Sequence, residues 1–292
     1  MPLVRRLSQL ALGLQMLLVV SGTAVRVTGS GLGCPTWPRC TGGSLTNTPA
    51  QGFHGDIEFG NRLLAVLMEA VGIALVLAVA KHAREHTRLA AVQALVVPLQ
   101  AVIGGILVLS GLNPYVLILH FLTSFPLVFA AAALLRRLEP GTARHPLLQQ
   151  LSVGVVAAVS GVLALGTLVT GTGPHAGDPK VERLPFSPRD ITQLHADGVW
   201  LLSGLVIASA VVAWRTPYQR WTLALVGLIA AQAALGYWQY FHGVPAGAVA
   251  AHVALATTVF TVASWLALST RGSRPRTAPP SREPASETAT AR

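Results

Sequence analysis

Charge is what this 292-residue sequence lacks. Asp, Glu, Lys and Arg together make up 11% of it, against about a quarter in a soluble globular domain. Apolar residues reach 52% and the mean hydropathy is +0.57. A fold surrounded by water is excluded on that balance, and lipid becomes the main solvent. Acid is scarcer than base, 11 residues against 21, for a net charge of +10. That excess does not describe a nucleic-acid binder. The bases fall in short clusters between apolar runs, without the aromatic-interleaved stripe that tracks a phosphate backbone.

What fills the sequence instead is a series of apolar runs, each near the roughly 20 residues that cross a bilayer as a helix. They fall at about 7–28, 57–80, 88–110, 115–136, 149–171, 191–213, 217–240 and 246–269. The first follows Arg5 and Arg6 as a signal peptide would. It is too long for one and has no clear small-residue cleavage site behind it, so a first membrane helix is expected.

Lys and Arg set the expected orientation. One set of connections carries Arg5, Arg6, Lys81, Arg84, Arg88, Arg136, Arg137, Arg144, Arg215, Arg220 and five arginines beyond 270, fifteen in all. The other carries Arg26, Arg39, Arg62, Lys180, Arg183 and Arg189, six in all. Both termini are therefore expected in the cytoplasm, and the loops at 29–56 and 172–190 outside. The stretch 271–292 is rich in Pro, Ser, Thr, Ala and Arg and reads as a disordered cytoplasmic tail.

Cysteine is nearly absent too. Cys34 and Cys40 are the only two, and both fall in the first external loop. Two close thiols outside the cytoplasm favour a disulfide. A metal site is the lesser alternative, because two thiolates with no nearby histidine do not complete one.

The chain also repeats itself. Gly22-Thr23, Val25 and Thr28-Gly29-Ser30-Gly31 are echoed by Gly166-Thr167, Val169 and Thr170-Gly171-Thr172-Gly173. The run from Asp56 to Asn61 lines up with that from Asp190 to His195. Gln100-Ala101 with Gly104 matches Gln232-Ala233 with Gly236, and each glutamine precedes a histidine, His120 or His252, by twenty residues. Four matches in one order define tandem units. Each unit has an even number of helices, so the units share one orientation about an axis along the membrane normal. The expected fold is an all-α integral membrane protein. Its eight transmembrane helices form two tandem, pseudo-symmetric four-helix bundles, residues 1–140 and 141–270.

Depth then singles out the candidate ligands. At about 1.5 Å of rise per residue, His195 and His252 lie at nearly one level below the outer face. His120 and Asn61 occupy the matching level in the first half. Polar groups at such depth usually face a bundle interior or a bound group. A depth-matched pair of histidines from facing helices suits the axial positions of haem iron. A lone membrane histidine more often makes an interhelical hydrogen bond, and it is the pairing that lifts these above that reading. His82, His86 and His145 fall in cytoplasmic loops. His54, His175 and His242 fall outside or at the interface.

Glu58 lies one turn before Asn61 on one helix face. It reads either as an N-terminal cap or as an acid, base or nucleophile beside a haem edge. Arg26 and Arg62, at the outer level, suit haem propionates or snorkel to headgroups. Glu69 and Asp197 are intramembrane acids without an assigned role.

The run Gly-Thr-Ala-Val-Arg-Val-Thr-Gly-Ser-Gly-Leu-Gly-Cys-Pro-Thr-Trp-Pro-Arg-Cys at 22–40 resembles the signature loop of bacterial haem A synthases. The similarity continues through Ile57-Glu58-Phe59, His120, residues 170–173, His195 and His252. The resemblance implies a bacterial plasma-membrane enzyme that oxidises the C8 methyl of haem O to the formyl group of haem A, in support of cytochrome c oxidase assembly. It implies a resident haem b on His195 and His252 in the second half, and a substrate haem on His120 in the first. Glu58 is implied as the catalytic carboxylate, and Cys34 and Cys40 as the loop cysteines. The family pattern on helix 2 is Glu-x-x-His, whereas Asn61 stands at its last position here. An amide is a poor iron ligand, so His120 alone would hold the substrate haem, with Asn61 as a distal contact.

Electrons are expected to arrive through the second-half haem, with Glu58 handling protons or capturing an oxidised methyl. The implied partners are haem O, an upstream haem O synthase and an electron donor; a homo-oligomer is compatible with all of this. A dihaem electron carrier and a haem transporter are the competing classes. The difference between Glu58 in one half and Thr192 in the other favours an enzyme.

Overall fold

The computed structural model describes residues 1–272. The tail expected to be disordered lies, from residue 273 onward, outside the described residues. Among the described residues the regular structure is entirely helical. Eight long helices follow one another: α1 (Pro2–Val27), α2 (Gly52–His82), α3 (Thr87–Leu109), α4 (Pro114–Leu138), α5 (Pro146–Thr172), α6 (Pro188–Val212), α7 (Gln219–Phe241) and α8 (Ala246–Thr270). All eight are long and apolar enough to cross a membrane, and the chain is a multi-pass membrane protein.

Local chemistry marks several helix starts. Proline opens α1, α4, α5 and α6, where a missing N–H costs nothing. The Asn113 carboxamide caps α4 by accepting from the amides of Tyr115 and Val116. The Ser187 hydroxyl caps α6 by accepting from Asp190. Such caps satisfy amides that have no partner within the helix.

Helices α1 to α4 form a closed ring in which each touches the next and α4 returns to α1; α5 to α8 form a second ring of the same kind. The rings meet along α1, α4, α5 and α8. One apolar core, with Met68, Leu75, Val97 and Leu134, fills the first ring. A second, with Val155, Val206, Leu225 and Leu266, fills the other and reaches Val19 and Val128 across the seam. The outward surface is apolar as well: Leu95, Trp200, Leu201 and Val211 are each about 66–73% exposed. Polar solvent would not leave such residues uncovered, and lipid does.

Around α4, which touches helices of both rings, Ala130, Ala131, Ala132 and Ala133 are all buried. Small side chains let helix backbones approach closely in lipid. At the end of α4, Arg136 donates to Ser269 Oγ at 2.9 Å, to the Pro140 carbonyl at 2.9 Å and to Thr142 Oγ1 at 2.8 Å. It ties the first ring to the last turn of α8.

Candidate functional site

His120 and His252 stand six residues past the first residues of α4 and α8, and His195 stands seven past that of α6. At about 1.5 Å per residue all three lie some 9–11 Å along their helices from the same end of the molecule. Each ring is seated on a glycine of the neighbouring helix. A Cβ built on Gly104 would lie 3.2 Å from Cε1 of His120; on Gly236, 3.2 Å from Cε1 of His252; on Gly166, 3.3 Å from Cε1 of His195. Any larger residue there would push the imidazole away.

His195 and His252 face each other with ring centres 6.4 Å apart and planes inclined at 55°. A metal–imidazole bond is about 2.0–2.1 Å, and the nitrogen lies about 1.2 Å from its ring centre. An iron clasped between two opposed rings would place their centres about 6.4–6.6 Å apart, and the observed 6.4 Å spacing is compatible with that. His195 Nδ1 lies 3.1 Å from the Val162 carbonyl. Donation there leaves Nε2 as the lone-pair nitrogen, the arrangement typical of metal-bound histidine. His252 Nδ1 is buried with no partner, as is His120 Nδ1. Gln232 donates to the His252 carbonyl at 3.0 Å, and Gln100 does the same for His120 at 3.3 Å. The helix turns carrying His120 and His252 are thus braced from the adjacent helix. Among the described residues no three His, Cys, Asp or Glu side chains converge as a metal cluster. The His pair is a two-ligand arrangement, suited to an iron whose other ligands come from a macrocycle.

Asn61 holds the position in α2 that His195 holds in α6. Its Oδ1 lies 2.6 Å from Ser21 Oγ on α1.

Glu58 is not a cap. Helix α2 begins at Gly52 rather than near residue 57, because the polar turn Gly52–Asp56 is already helical, and Glu58 lies beyond the first turn. Its side chain is buried and turned onto the cysteine loop. Oε2 accepts from the Cys34 amide at 2.7 Å and Oε1 from Arg62 Nη2 at 2.6 Å. Arg62 does not snorkel. Its guanidinium also reaches the carbonyls of Cys34 and Thr36, each at 3.1 Å, and of Arg39 at 3.2 Å. Those donors are spent on the loop. Arg26 is half-buried, and its Nε has no hydrogen-bond partner.

The Sγ atoms of Cys34 and Cys40 lie at bonding distance, and both cysteines are fully buried. The loop packs down tightly. A Cβ on Gly33 would strike the His54 carbonyl at 2.2 Å, and one on Gly105 of α3 would enter the Trp37 ring at 2.4 Å. Trp37 therefore lies on α3 beside Gly104, the seat of His120. The loop covers the end of the first ring, and Gly31 N donates to the Gly177 carbonyl to join it to the 173–187 loop.

The remaining candidates stand apart. His54 bonds Ser30 Oγ, His175 bonds the Val244 carbonyl and His242 stacks on Trp238. Asp197 is exposed and accepts from Gln193, and Glu69 Oε2 is buried without a partner. Ser21, Trp37 and the three seating glycines carry site geometry that residue type alone did not flag. The glycines left a signal as matched positions in the repeat and Trp37 as part of the run at 22–40, whereas Ser21 left none.

The chain is similar to proteins called Heme A synthase. It is 34% identical over 130 residues to that of Shouchella clausii, covering 42% of this chain and 41% of the relative. It is 35% identical over 111 residues to that of Geobacillus kaustophilus, covering 36% and 33%. A longer match, 26% over 196 residues and 64% of each chain, is to that of Bacillus pumilus. The first relatives are thus matched over about a third to two fifths of their length. The model of the family described as cytochrome oxidase assembly protein matches residues 5–177, more than half of the chain, and this protein belongs to that family.

Proposed function

We propose that the chain is a haem A synthase, an oxidoreductase that converts the C8 methyl of haem O to a formyl group in stages. The 6.4 Å opposition of His195 and His252 carries the reading. It supports a resident haem b held in the second ring, residues 141–270, as the electron relay. The relatives' name supports haem O as substrate, received by the first ring, residues 1–140. His120 is the protein ligand there, braced by Gln100 and seated on Gly104.

The protein's own contribution is ligation, orientation and exclusion of water. Glu58 lies at the loop end of α2, where it moves protons from the reacting methyl or captures its oxidised form. Arg62 holds that carboxylate in place, and Arg26, with its unpartnered Nε, meets a propionate. The Cys34–Cys40 disulfide shapes the loop above the substrate. In the cell both termini face the cytoplasm and the loop faces outward, by the distribution of Lys and Arg. An upstream haem O synthase supplies the substrate. A symmetric electron carrier is disfavoured, because Glu58 stands in one half where Thr192 stands in the other.

Haem extraction tests the proposal. Cells supplied with haem O and expressing the chain should yield haem A on chromatography, and a His120→Ala variant should yield none. Purified protein should show a low-spin bis-imidazole haem that His195→Ala and His252→Ala each abolish. Unconverted haem O from the parent chain would overturn the assignment.

A further inference from the structure

The two rings repeat, and they part company where the repeat would put a fourth histidine. In the second ring His195 is seated twice over by α5. Gly166 makes room for the ring, and the Val162 carbonyl, one turn earlier, accepts from Nδ1 at 3.1 Å. The same register on α1 is Gly22 and Leu18, facing Asn61 on α2. Nothing lies within 4 Å of a Cβ built on Gly22, so the seat filled by His195 is open in the first ring. The Leu18 carbonyl does not await an imidazole either. Ser21 Oγ lies 3.2 Å from it and 2.6 Å from Asn61 Oδ1. The residue in register with Ser21 on α5 is Leu165, which has no hydroxyl to offer.

A serine hydroxyl has one proton to donate. The shorter contact assigns it to Asn61 Oδ1, so the amide is held by its oxygen and keeps its NH₂ group as a donor. We propose that Ser21 and Asn61 form a distal polar pair in the first ring. In it Ser21 positions an amide donor on the side opposite His120, so that a haem bound there keeps one axial place for a small oxygen ligand, water or dioxygen. The inference rests on the first ring being a haem site with His120 as its protein ligand, as proposed above. Asn61 touches the small ligand. Ser21 acts through Asn61 and is a positioning residue.

The pair explains two features together. An imidazole in place of Asn61 would close the axial position, the role proposed for His195 in the second ring. An unsupported amide oxygen at that depth would be a polar atom without a partner in an apolar bundle, and Ser21 supplies the partner. Gly22 does not pack against Asn61 as Gly166 packs against His195, and the bond from Ser21 holds the amide instead.

Carbon monoxide is the probe, applied to the reduced full chain loaded with haem. The bis-imidazole haem of the second ring does not bind it, and serves in every variant as the control for folding. The parent chain should bind carbon monoxide at one of two haems. Ser21→Ala and Asn61→Leu should retain binding but shift the C–O stretch to higher frequency, as a hydrogen bond to the ligand is weakened or lost. Asn61→His should close the axial place only in part, because Ser21 still occupies the Leu18 carbonyl. Ser21→Leu with Asn61→His, which copies the second ring, should give a second low-spin haem and abolish carbon monoxide binding.

Unchanged stretching frequencies in Ser21→Ala and Asn61→Leu would overturn the pair, as would full carbon monoxide binding in the double variant. If the parent chain makes haem A yet binds no carbon monoxide, the pair fails while the synthase reading stands. If it neither holds haem nor makes haem A, both fall.

Discussion

Replacing Glu58 with alanine should open the Cys34–Cys40 pair to reductant about a hundred times more often than in the parent chain. Both cysteines are 0% exposed, so a thiol reagent must wait for the loop to lift from the bundle. The latch is the carboxylate. It accepts from the Cys34 amide at 2.7 Å and pairs with Arg62 at 2.6 Å, and Arg62 in turn holds three loop carbonyls. Its removal leaves a buried amide without an acceptor and a guanidinium without its counter-charge. Breaking a buried ion pair from one side costs about 3–5 kcal/mol. Side-chain exposure of 20% at Arg62 against 6% at Glu58 places this one at the low end, about 3 kcal/mol. At about 1.4 kcal/mol per decade that is roughly two decades in the open population.

The assay is reduction by dithiothreitol in detergent, quenched and counted by mass-tag alkylation. Reduction follows the open population while closing outpaces attack. Glu58→Gln keeps an acceptor for the Cys34 amide and loses the charge, so it should fall between, near tenfold. Glu69→Ala removes a carboxylate from the same helix with no loop contact and should leave the rate unchanged. Equal rates for Glu58→Ala and the parent chain would show that Glu58 does not hold the loop.

Two further outcomes are expected. Gly236→Ala puts a methyl 3.2 Å from His252 Cε1; the ring must yield by a few tenths of an ångström, and haem should leave the second ring several times faster under apomyoglobin challenge. Gly227→Ala, with nothing within 4 Å, is its control and should match the parent. Gly105→Ala drives a methyl into the Trp37 ring at 2.4 Å, so Trp37 should leave α3, with red-shifted tryptophan emission and faster proteolysis between residues 30 and 50.

Much of this was legible before any coordinates. The eight crossings follow from apolar runs, because lipid demands them of any chain that spans it. Their ends were less legible. Helix α2 starts at Gly52 and α6 at Pro188, several residues before the apolar run, since caps and polar turns extend a helix beyond the lipid-facing stretch. The level of His120, His195 and His252 followed from counting along helices. What seats them did not. Gly104, Gly166 and Gly236 stood in the repeat without a reason until each was found beneath an imidazole. The partners of Arg62 were hidden because they are main-chain carbonyls, which any loop sequence supplies. Ser21 was hidden because one serine in an apolar helix carries no signal until its neighbour across the bundle is known.

The alanine run on α4 has a mechanical meaning. With Ala130 through Ala133 all buried around α4 and Arg136 fastened to Ser269, the two rings are tied together along one side. Rocking one against the other would break the bond from Arg136 to Ser269 and strand a buried cation. At the opposite end the Cys34–Cys40 loop is held to the bundle by side-chain bonds from Glu58 and Arg62, so the fold is tied more rigidly at one end than at the other.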